Sequence, residues 1–408
     1  MPAKSIAHSS TSRTLRPSSA RISLALLLTV LLASPDLALS ATCTSNSYWT
    51  ASGATLTTPI ETFGAAVSPT ANGDVMYVIG GEDWISGTPV FQTQILHKLV
   101  SAVATTNSST WTFHNDMWKG PAGVPVGFAR DLCGVVNNGF LYTIGGVIHD
   151  STITDPTGNS TAQVWYAPIN STTGNLGGWK QANSVPVPQG TMGLQLHGSV
   201  VVTVGTNTYL YVIGGSNSDH GNGMVNLGIT SAVHFVKINP DGSLGLWDHD
   251  GNGNPVTLPD IPSQGNGVYK TCPVVHSGSI YVAGGEAEGM SLNQVVYATP
   301  MADGTFSGNM WNNMTSNYIV IGGLATPDGA QAVVYNNGII LMGGDEGSNT
   351  IVSTVFQGTV AADKSVMWST LTSLPLAISR NAGATSGGHT FSLAGQHGGA
   401  DQSCIYYH

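Results

Sequence analysis

The chain has 408 residues, of which 52 are glycine and only 8% are Asp, Glu, Lys or Arg. Its hydrophobic fraction of 41% is too high for a disordered chain, and its regular β-branched runs favour many short strands. With 22 acidic against 12 basic residues, the composition argues against binding to nucleic acid or anionic lipid.

The first 41 residues have the order of a signal peptide. Basic residues precede the apolar run "ISLALLLTVLLA" at 22–33, and small residues follow up to Ser40 and Ala41. The run is shorter than the roughly 20 residues that a transmembrane helix needs. We therefore expect 1–41 to be removed and 42–408 to be secreted, into the extracellular space or the periplasm, without a transmembrane domain. An uncleaved membrane anchor is the alternative.

Beyond this segment, one phrase recurs along the chain: an apolar strand that ends in two glycines. Two markers keep the same spacing of 52 to 70 residues. The glycine pairs begin at Gly80, Gly145, Gly214, Gly284 and Gly343, with Gly395 in a weaker sixth copy. The tryptophans are Trp49, Trp111, Trp179, Trp247, Trp311 and Trp368.

Each copy contains four strand-length runs. In the second copy these are "LCGVV", then "FLYTIGG" after the turn "NNG", then "VWYAPI", and finally the run that carries the tryptophan. The runs are separated by Gly, Asn, Asp and Pro, and no long helical period is present. The sequence therefore predicts an all-β fold built from six repeats.

The glycine pair after an apolar strand, the aromatic residue three positions earlier and the later tryptophan resemble the kelch repeat. The resemblance covers nearly all of residues 43–408 and implies a six-bladed kelch-type β-propeller around a central channel, as one domain over 42–408. Kelch repeats have about 50 residues, so we expect several loops to be longer here. Tyr77, Tyr142, Tyr211 and Tyr281 are expected to pack between blades.

The two ends of the mature chain complete one blade. "SNSYWT" near residue 50 is a fourth strand without the first three, and "SCIYYH" at the C-terminus is a third strand without a fourth. We expect them to pair and close the ring. Cys43 and Cys404 flank these segments and are predicted to form a disulfide bond. Cys133 and Cys272 are expected to be unpaired thiols on inner strands.

Polar residues follow every glycine pair, in loops that converge on the channel mouth of kelch-like propellers. Four of the five glutamates lie here, although charge is scarce elsewhere. Such a ring would hydrogen-bond sugar hydroxyls or hold a cation such as Ca²⁺; alternatively, these loops are polar because they meet water. The candidates are Glu82, Asp83, Trp84, His149, Asp150, Asp219, His220, Glu286, Glu288, Asp345, Glu346, Gln396 and His397.

Only two arginines remain after residue 41, and both precede a glycine pair by fifteen residues. Arg130 and Arg380 enter the inner strands of the blades that flank blade 1, and Lys270 is displaced by one position in blade 4. Guanidinium groups suit bidentate binding of a carboxylate. We therefore predict that these two arginine side chains bind the carboxylate of an acidic sugar. The alternative is that both arginines make structural ion pairs.

Two functions follow from these features. The first is a secreted binding module that recognises a glycan or a protein partner at the channel mouth. It is expected to be a monomer without a cofactor, with Ca²⁺ bound by the loop ring as the alternative. The second rests on resemblance: secreted six-bladed kelch-like proteins include sialic acid mutarotases. That resemblance implies general acid–base catalysis on an acidic sugar, with Glu82 or Glu286 as the catalytic carboxylate and Arg130 or Arg380 on the substrate.

Overall fold

A computed structural model describes residues 42–85, 88–91, 95–105, 110–114, 128–149, 159–187, 193–216, 228–262, 267–287, 290–313, 319, 328–345, 350–398 and 400–408. The fold is nearly all-β, with six antiparallel sheets arranged as the blades of a β-propeller. This architecture confirms the predicted fold class.

The inner strands of the six blades face the channel. They are, in chain order, Gly64–Ser68, Cys133–Asn137, Gly198–Val204, Cys272–His276, Gln331–Tyr335 and Ala382–Ser386. The second strands are Val75–Ile79, Phe140–Ile144, Asn207–Ile213, Ser279–Ala283, Gly338–Met342 and His389–His397. The second strands of blades 1, 4 and 5 are buried over their whole length, because both faces pack against neighbouring blades.

The third and outer strands complete the sheets. The third strands are Ile95–Leu99, Val164–Pro168, Val233–Ile238, Val295–Ala298, Val355–Val360 and Ala400–Tyr407. The outer strands are Thr112–His114 in blade 1, Lys180–Ala182 in blade 2, Asn312–Asn313 in blade 4, Val366–Leu371 in blade 5 and Thr50–Ala51 in blade 6. Blade 3 is a three-stranded sheet in the described part of the chain.

Short additional elements explain the long repeats. Beside the channel end, the segments after the glycine pairs form small sheets of two or three strands. Their strands are Glu82–Ile85 with Thr88–Phe91, Phe128–Arg130 with Val147–His149 and Asn159–Ser160, and Glu286–Ala287 with Met290–Ser291. A helix at Val100–Thr105 and a 3₁₀ turn at Ser307–Asn309 lie after third strands. No helix in the described residues is long and apolar enough to cross a membrane.

The recurring glycine pairs are required by the backbone. Gly80 has a φ of 66° and Gly81 a φ of 107°, which are angles that L-residues rarely adopt. An added Cβ at Gly81 would also lie 3.1 Å from the carbonyl oxygen of Glu61. The pair therefore ends the second strand and lets the chain pass close to the inner strand.

The recurring aromatic positions join one blade to the next. The Tyr77 hydroxyl donates to the Gly174 carbonyl in blade 2 (2.6 Å), and the Tyr142 hydroxyl donates to the Gly242 carbonyl in blade 3 (2.8 Å). Similarly, the indole nitrogen of Trp247 donates to the Asn183 carbonyl at the exit of blade 2 (2.9 Å). These contacts confirm that the tyrosines pack between blades.

A ring of backbone hydrogen bonds surrounds the channel end. In every blade, the residue two positions before the inner strand has a φ between 53° and 60°. These residues, the left-handed ring, are Thr62, Asp131, Leu196, Lys270, Gly329 and Arg380. Their N–H groups donate to the ring carbonyl of the preceding blade: Asp131 to Thr62, Leu196 to Asp131, Lys270 to Leu196, Thr62 to Arg380 and Arg380 to Gly329.

The left-handed ring shows that Arg130 and Arg380 do not hold equivalent positions, although both precede their glycines by fifteen residues. Arg380 shares its position with Lys270 and not with Arg130, which lies one residue earlier in its repeat. The reason is that Gly395, with a φ of 106°, is the second member of its pair, while Ala394 takes the first position with a φ of 42°. The arginines are therefore not equivalent, although both reach the same end of the channel.

Both ends of the described chain meet in blade 6. Thr50 pairs with Tyr407 and Ala51 with Tyr406, as the sequence predicts for closure of the ring. Cys43 and Cys404 form the predicted disulfide bond across a separation of 361 residues. Cys133 and Cys272 are free thiols, also as expected.

Candidate functional site

A cavity of about 550 Å³ occupies the channel at the left-handed ring. All six blades contribute to its wall, through the starts of their inner strands and the residues just before them. Gly64, Gly134 and Gly198 let the inner strands pack closely against neighbouring blades, because an added Cβ would meet Leu132, Ile79 and Pro273, respectively. The charged residues in the wall are Glu82, Arg130, Asp131, Lys270 and Arg380.

Arg130 forms a buried ion pair with Glu82. Its Nη1 lies 2.6 Å from Glu82 Oε1 and 2.7 Å from Oε2, and the two side chains are only 7% and 1% exposed. Burial raises the pKa of Glu82, and the attraction of Arg130 offsets this rise only in part. This geometry supports the structural-pairing interpretation for Arg130.

Arg380 is held differently. Its Nη1 donates to Glu61 Oε1 at 3.0 Å, while its side chain remains 39% exposed. Glu61 is fully buried beneath it. Burial raises the pKa of Glu61 to about 7; Arg380 opposes this shift, and the carboxylates of Asp401, Glu82 and Asp131 add to it. Both arginines line the cavity, but the side chain of Arg380 is more accessible than that of Arg130.

Lys270 lies at the centre of a second cluster, across blades 4 and 5. Its Nζ is 2.5 Å from Glu286 Oε2 and 3.0 Å from Asp328 Oδ1, and Ser291 donates to the other oxygen of Asp328 at 2.7 Å. Burial alone would lower the pKa of Lys270, but Asp328 and Glu286 together raise it above its ordinary value. Lys270 therefore remains a cation in the cavity wall.

Tyr269 adds a hydroxyl group next to this cluster. Its side chain lines the cavity. Burial raises the pKa of Tyr269 strongly, and a hydrogen bond to Glu286 together with the nearby carboxylate charges adds to the rise. The phenol is thus a neutral donor, paired with a carboxylate at the channel end.

The other predicted site residues fall into two groups, those that the structure describes and those outside the described residues. Asp345 is partly buried, and burial followed by the charge of Asp328 raises its pKa; burial also raises the pKa of Asp83. His397 is turned to the Ala377 carbonyl, 2.7 Å from its Nδ1. Of Trp84 and His149 only the backbone is described, in the added strands. Asp150, Asp219, His220, Glu288 and Glu346 lie outside the described residues.

The two free thiols in the cavity wall are packing groups. Cys133 donates to the His197 carbonyl at 2.8 Å, and Cys272 donates to the Ala330 carbonyl. Burial raises the pKa of both thiols to about 12, so neither is a thiolate at neutral pH. The described part of the chain contains no group of three or more His, Cys, Asp or Glu residues placed to hold a metal ion.

The sequence interpretation missed Glu61, Asp131 and Asp328 because they precede the inner strands and do not follow the glycines. Backbone pairing brings these two positions together: Glu61 bridges Glu82, and Asp328 bridges Asp345. One signal was present in the sequence, since Glu61 is the one glutamate of five that does not follow a glycine pair.

The fold and the charged channel end define the molecule as a six-bladed β-propeller with a polar cavity on its axis. No known family profile and no curated protein sequence matches the chain. Its fold recurs in 374 chains of solved structures. One is the structure of YjhT, which aligns with a TM-score of 0.56 at 14% identity, over 86% of this chain and 94% of that chain. This likeness shows the fold alone, and it supports a kelch-like propeller.

Proposed function

We propose that this chain is a secreted kelch-repeat propeller that binds a glycan with an acidic sugar at the channel end. The observation that supports this most is the axial cavity, whose volume of about 550 Å³ falls in the range of small-molecule sites. Its wall combines hydrogen-bonding groups from all six blades, which suits a ligand with many hydroxyl groups.

Two partly exposed cations select the charge of the ligand. Arg130 is 7% exposed and paired with Glu82, whereas Arg380, which pairs with Glu61, is 39% exposed, and Lys270, which pairs with Glu286 and Asp328, is 20% exposed in the same wall. Gly329 lies between these two cations: an added Cβ there would be 3.9 Å from Lys270 Cδ and 3.9 Å from the Arg380 backbone nitrogen. We place the ligand carboxylate beside Gly329, where it would meet Lys270 and Arg380.

A second function, mutarotation of the bound acidic sugar, is favoured by the arrangement around Glu286. Ring opening at an anomeric centre needs one group that takes a proton and another that gives one. Tyr269 is a protonated hydroxyl hydrogen-bonded to Glu286, and Lys270 holds Glu286 in place at 2.5 Å. Both predicted catalytic carboxylates are ion-paired: Glu82 lines the cavity but is 1% exposed and paired with Arg130, and Glu286 is 11% exposed and paired with Lys270.

The binding test is titration calorimetry with N-acetylneuraminic acid and glucuronic acid, and with N-acetylglucosamine as the neutral comparison. We expect the acidic sugars to bind, and Arg380→Gln or Lys270→Gln to reduce their affinity at least tenfold. Lys180→Gln removes the same charge from the exposed outer strand of blade 2 and is the matched control. Equal affinity for neutral and acidic sugars, or loss of binding with the control, would contradict the proposed ligand.

Mutarotation is tested by NMR exchange spectroscopy between the anomers of the sugar that binds. The enzymatic function predicts faster exchange with the wild type and a loss of this acceleration in Glu286→Gln with binding retained. Binding without any acceleration would leave the binding module as the function. A blank result for all three sugars would favour a protein partner instead.

A further inference from the structure

The joint between the last and the first blade contains a buried acidic group that the proposed function does not use. Glu61 is fully buried where blade 1 meets blade 6. Its neighbours Ile60 and Thr62 donate backbone hydrogen bonds to Gln402 and Arg380 of blade 6. The side chain is therefore fixed by the closure of the ring and cannot turn to solvent.

Glu61 has one cationic partner and is otherwise surrounded by acids. Arg380 donates to its Oε1, whereas its Oε2 has no hydrogen-bond partner among the described residues. The charged groups facing it are Arg380 and Asp401 from blade 6, Glu82 from blade 1 and Asp131 from blade 2. Arg130 is already paired with Glu82. A carboxylate in this setting keeps its charge at a high cost.

We propose that Glu61 is a positioning residue for Arg380 that couples ligand binding to pH: ionised Glu61 retains the guanidinium charge, and protonated Glu61 releases it to an anionic ligand in the cavity. The inference rests on the proposed function for its ligand, but the coupling between the two side chains belongs to the protein alone. Linkage then requires that an anion bound at Arg380 raises the proton affinity of Glu61.

Burial raises the pKa of Glu61 to about 7, so Glu61 gains or loses its proton near neutral pH. With that midpoint, roughly nine-tenths of the molecules hold the proton at pH 6 and roughly one-tenth at pH 8. If only the protonated form offers Arg380 fully, the apparent affinity for an acidic sugar rises about tenfold from pH 8 to pH 6. The sugar carboxylate itself stays ionised throughout this interval.

The first test needs no ligand. Arginine is scarce in this chain, so side-chain Nε–H NMR signals of ¹⁵N-arginine-labelled protein are assigned by comparison with Arg380→Lys and Arg130→Lys. We expect the Arg380 signal to shift with a midpoint near pH 7, and to stay constant in Glu61→Gln, which keeps an oxygen acceptor for the guanidinium. An Arg380 signal that is constant from pH 5.5 to 8.5, or that shifts equally in Glu61→Gln, would overturn the proposal.

The second test measures calorimetric affinity for N-acetylneuraminic acid at pH 6 and pH 8. We expect about tenfold tighter binding at pH 6 in the wild type and a ratio near one in Glu61→Gln; any contribution from histidines persists in the variant. An equal ratio in both proteins would contradict the coupling. If no acidic sugar binds while the Arg380 signal still follows Glu61, the coupling stands and only the proposed ligand is wrong.

Discussion

His197 offers a sharp test of the packing between blades 2 and 3. It follows the left-handed ring residue of blade 3 and is 4% exposed, and neither ring nitrogen has a hydrogen-bond partner among the described residues. The same position holds Phe63 in blade 1 and Leu132 in blade 2, both buried. An apolar side chain thus already satisfies this position twice in the same molecule, and we expect His197→Leu to stabilise the fold.

The size of the effect depends on pH. At pH 8 the gain is about 1–3 kcal/mol, the cost of leaving a buried polar group unpaired. Burial lowers the pKa of His197 from 6.5 to about 3, so the unfolded chain takes up a proton below pH 6.5 and the folded protein does not. The wild type therefore loses about 2 kcal/mol of unfolding free energy between pH 8 and pH 5 through this group. The leucine variant avoids that loss.

The assay is denaturant unfolding of wild type and His197→Leu at both pH values, followed by tryptophan fluorescence. His97, whose pKa is also lowered, affects both proteins equally and cancels in the difference. The reciprocal change Leu132→His is the matched variant and should be destabilised more at pH 5 than at pH 8. A His197→Leu protein that is less stable at both pH values, or that gains equally at both, would refute the reasoning.

Three further predictions concern other contacts. Tyr142→Phe removes the hydroxyl from a buried carbonyl and should cost about 1–3 kcal/mol in thermal or denaturant unfolding, whereas Tyr335→Phe at an exposed hydrogen bond should cost little. Arg130→Ala leaves the Glu82 carboxylate buried without its cation and should lose about 3–5 kcal/mol; a loss below 1 kcal/mol would show that the pair is not desolvated. Cys43→Ser opens the 361-residue loop and should lower the denaturation midpoint by an amount equivalent to about 6 kcal/mol in the chain-entropy model, a change that reduction of the wild type should reproduce.

The fold could be predicted from the sequence because one sequence pattern recurs in each of the six repeats. Two consecutive positive φ angles, at a glycine pair in five copies and at Ala394–Gly395 in the sixth, and a buried tyrosine in four of the copies are local requirements. The closing strand and the disulfide followed from what the first and last segments lacked. Repetition therefore supplied the evidence that a single strand cannot give.

The site was less predictable because its charges are set by pairing between positions that are distant in sequence. Arg130 and Arg380 look alike along the chain, but Arg130 is buried and paired with Glu82, whereas Arg380 is partly exposed and paired with Glu61. A shift of one residue in the sixth repeat hid this difference. Which carboxylates become buried, as Glu61 does, depends on the meeting of blades 6 and 1 and cannot be read from local spacing.

The shared blade also imposes an order on biosynthesis. The strand Thr50–Ala51 is among the first parts of the described chain to be made, yet its partner Ala400–Tyr407 is the last. Cys43 precedes Cys404 by 361 residues, which takes roughly 20–70 s at about 5–20 residues per second. During that interval five blades are complete and the N-terminal strand has no sheet to join. Closure therefore waits until Cys404 has been made, and until then the thiol of Cys43 is open to other oxidants or partners.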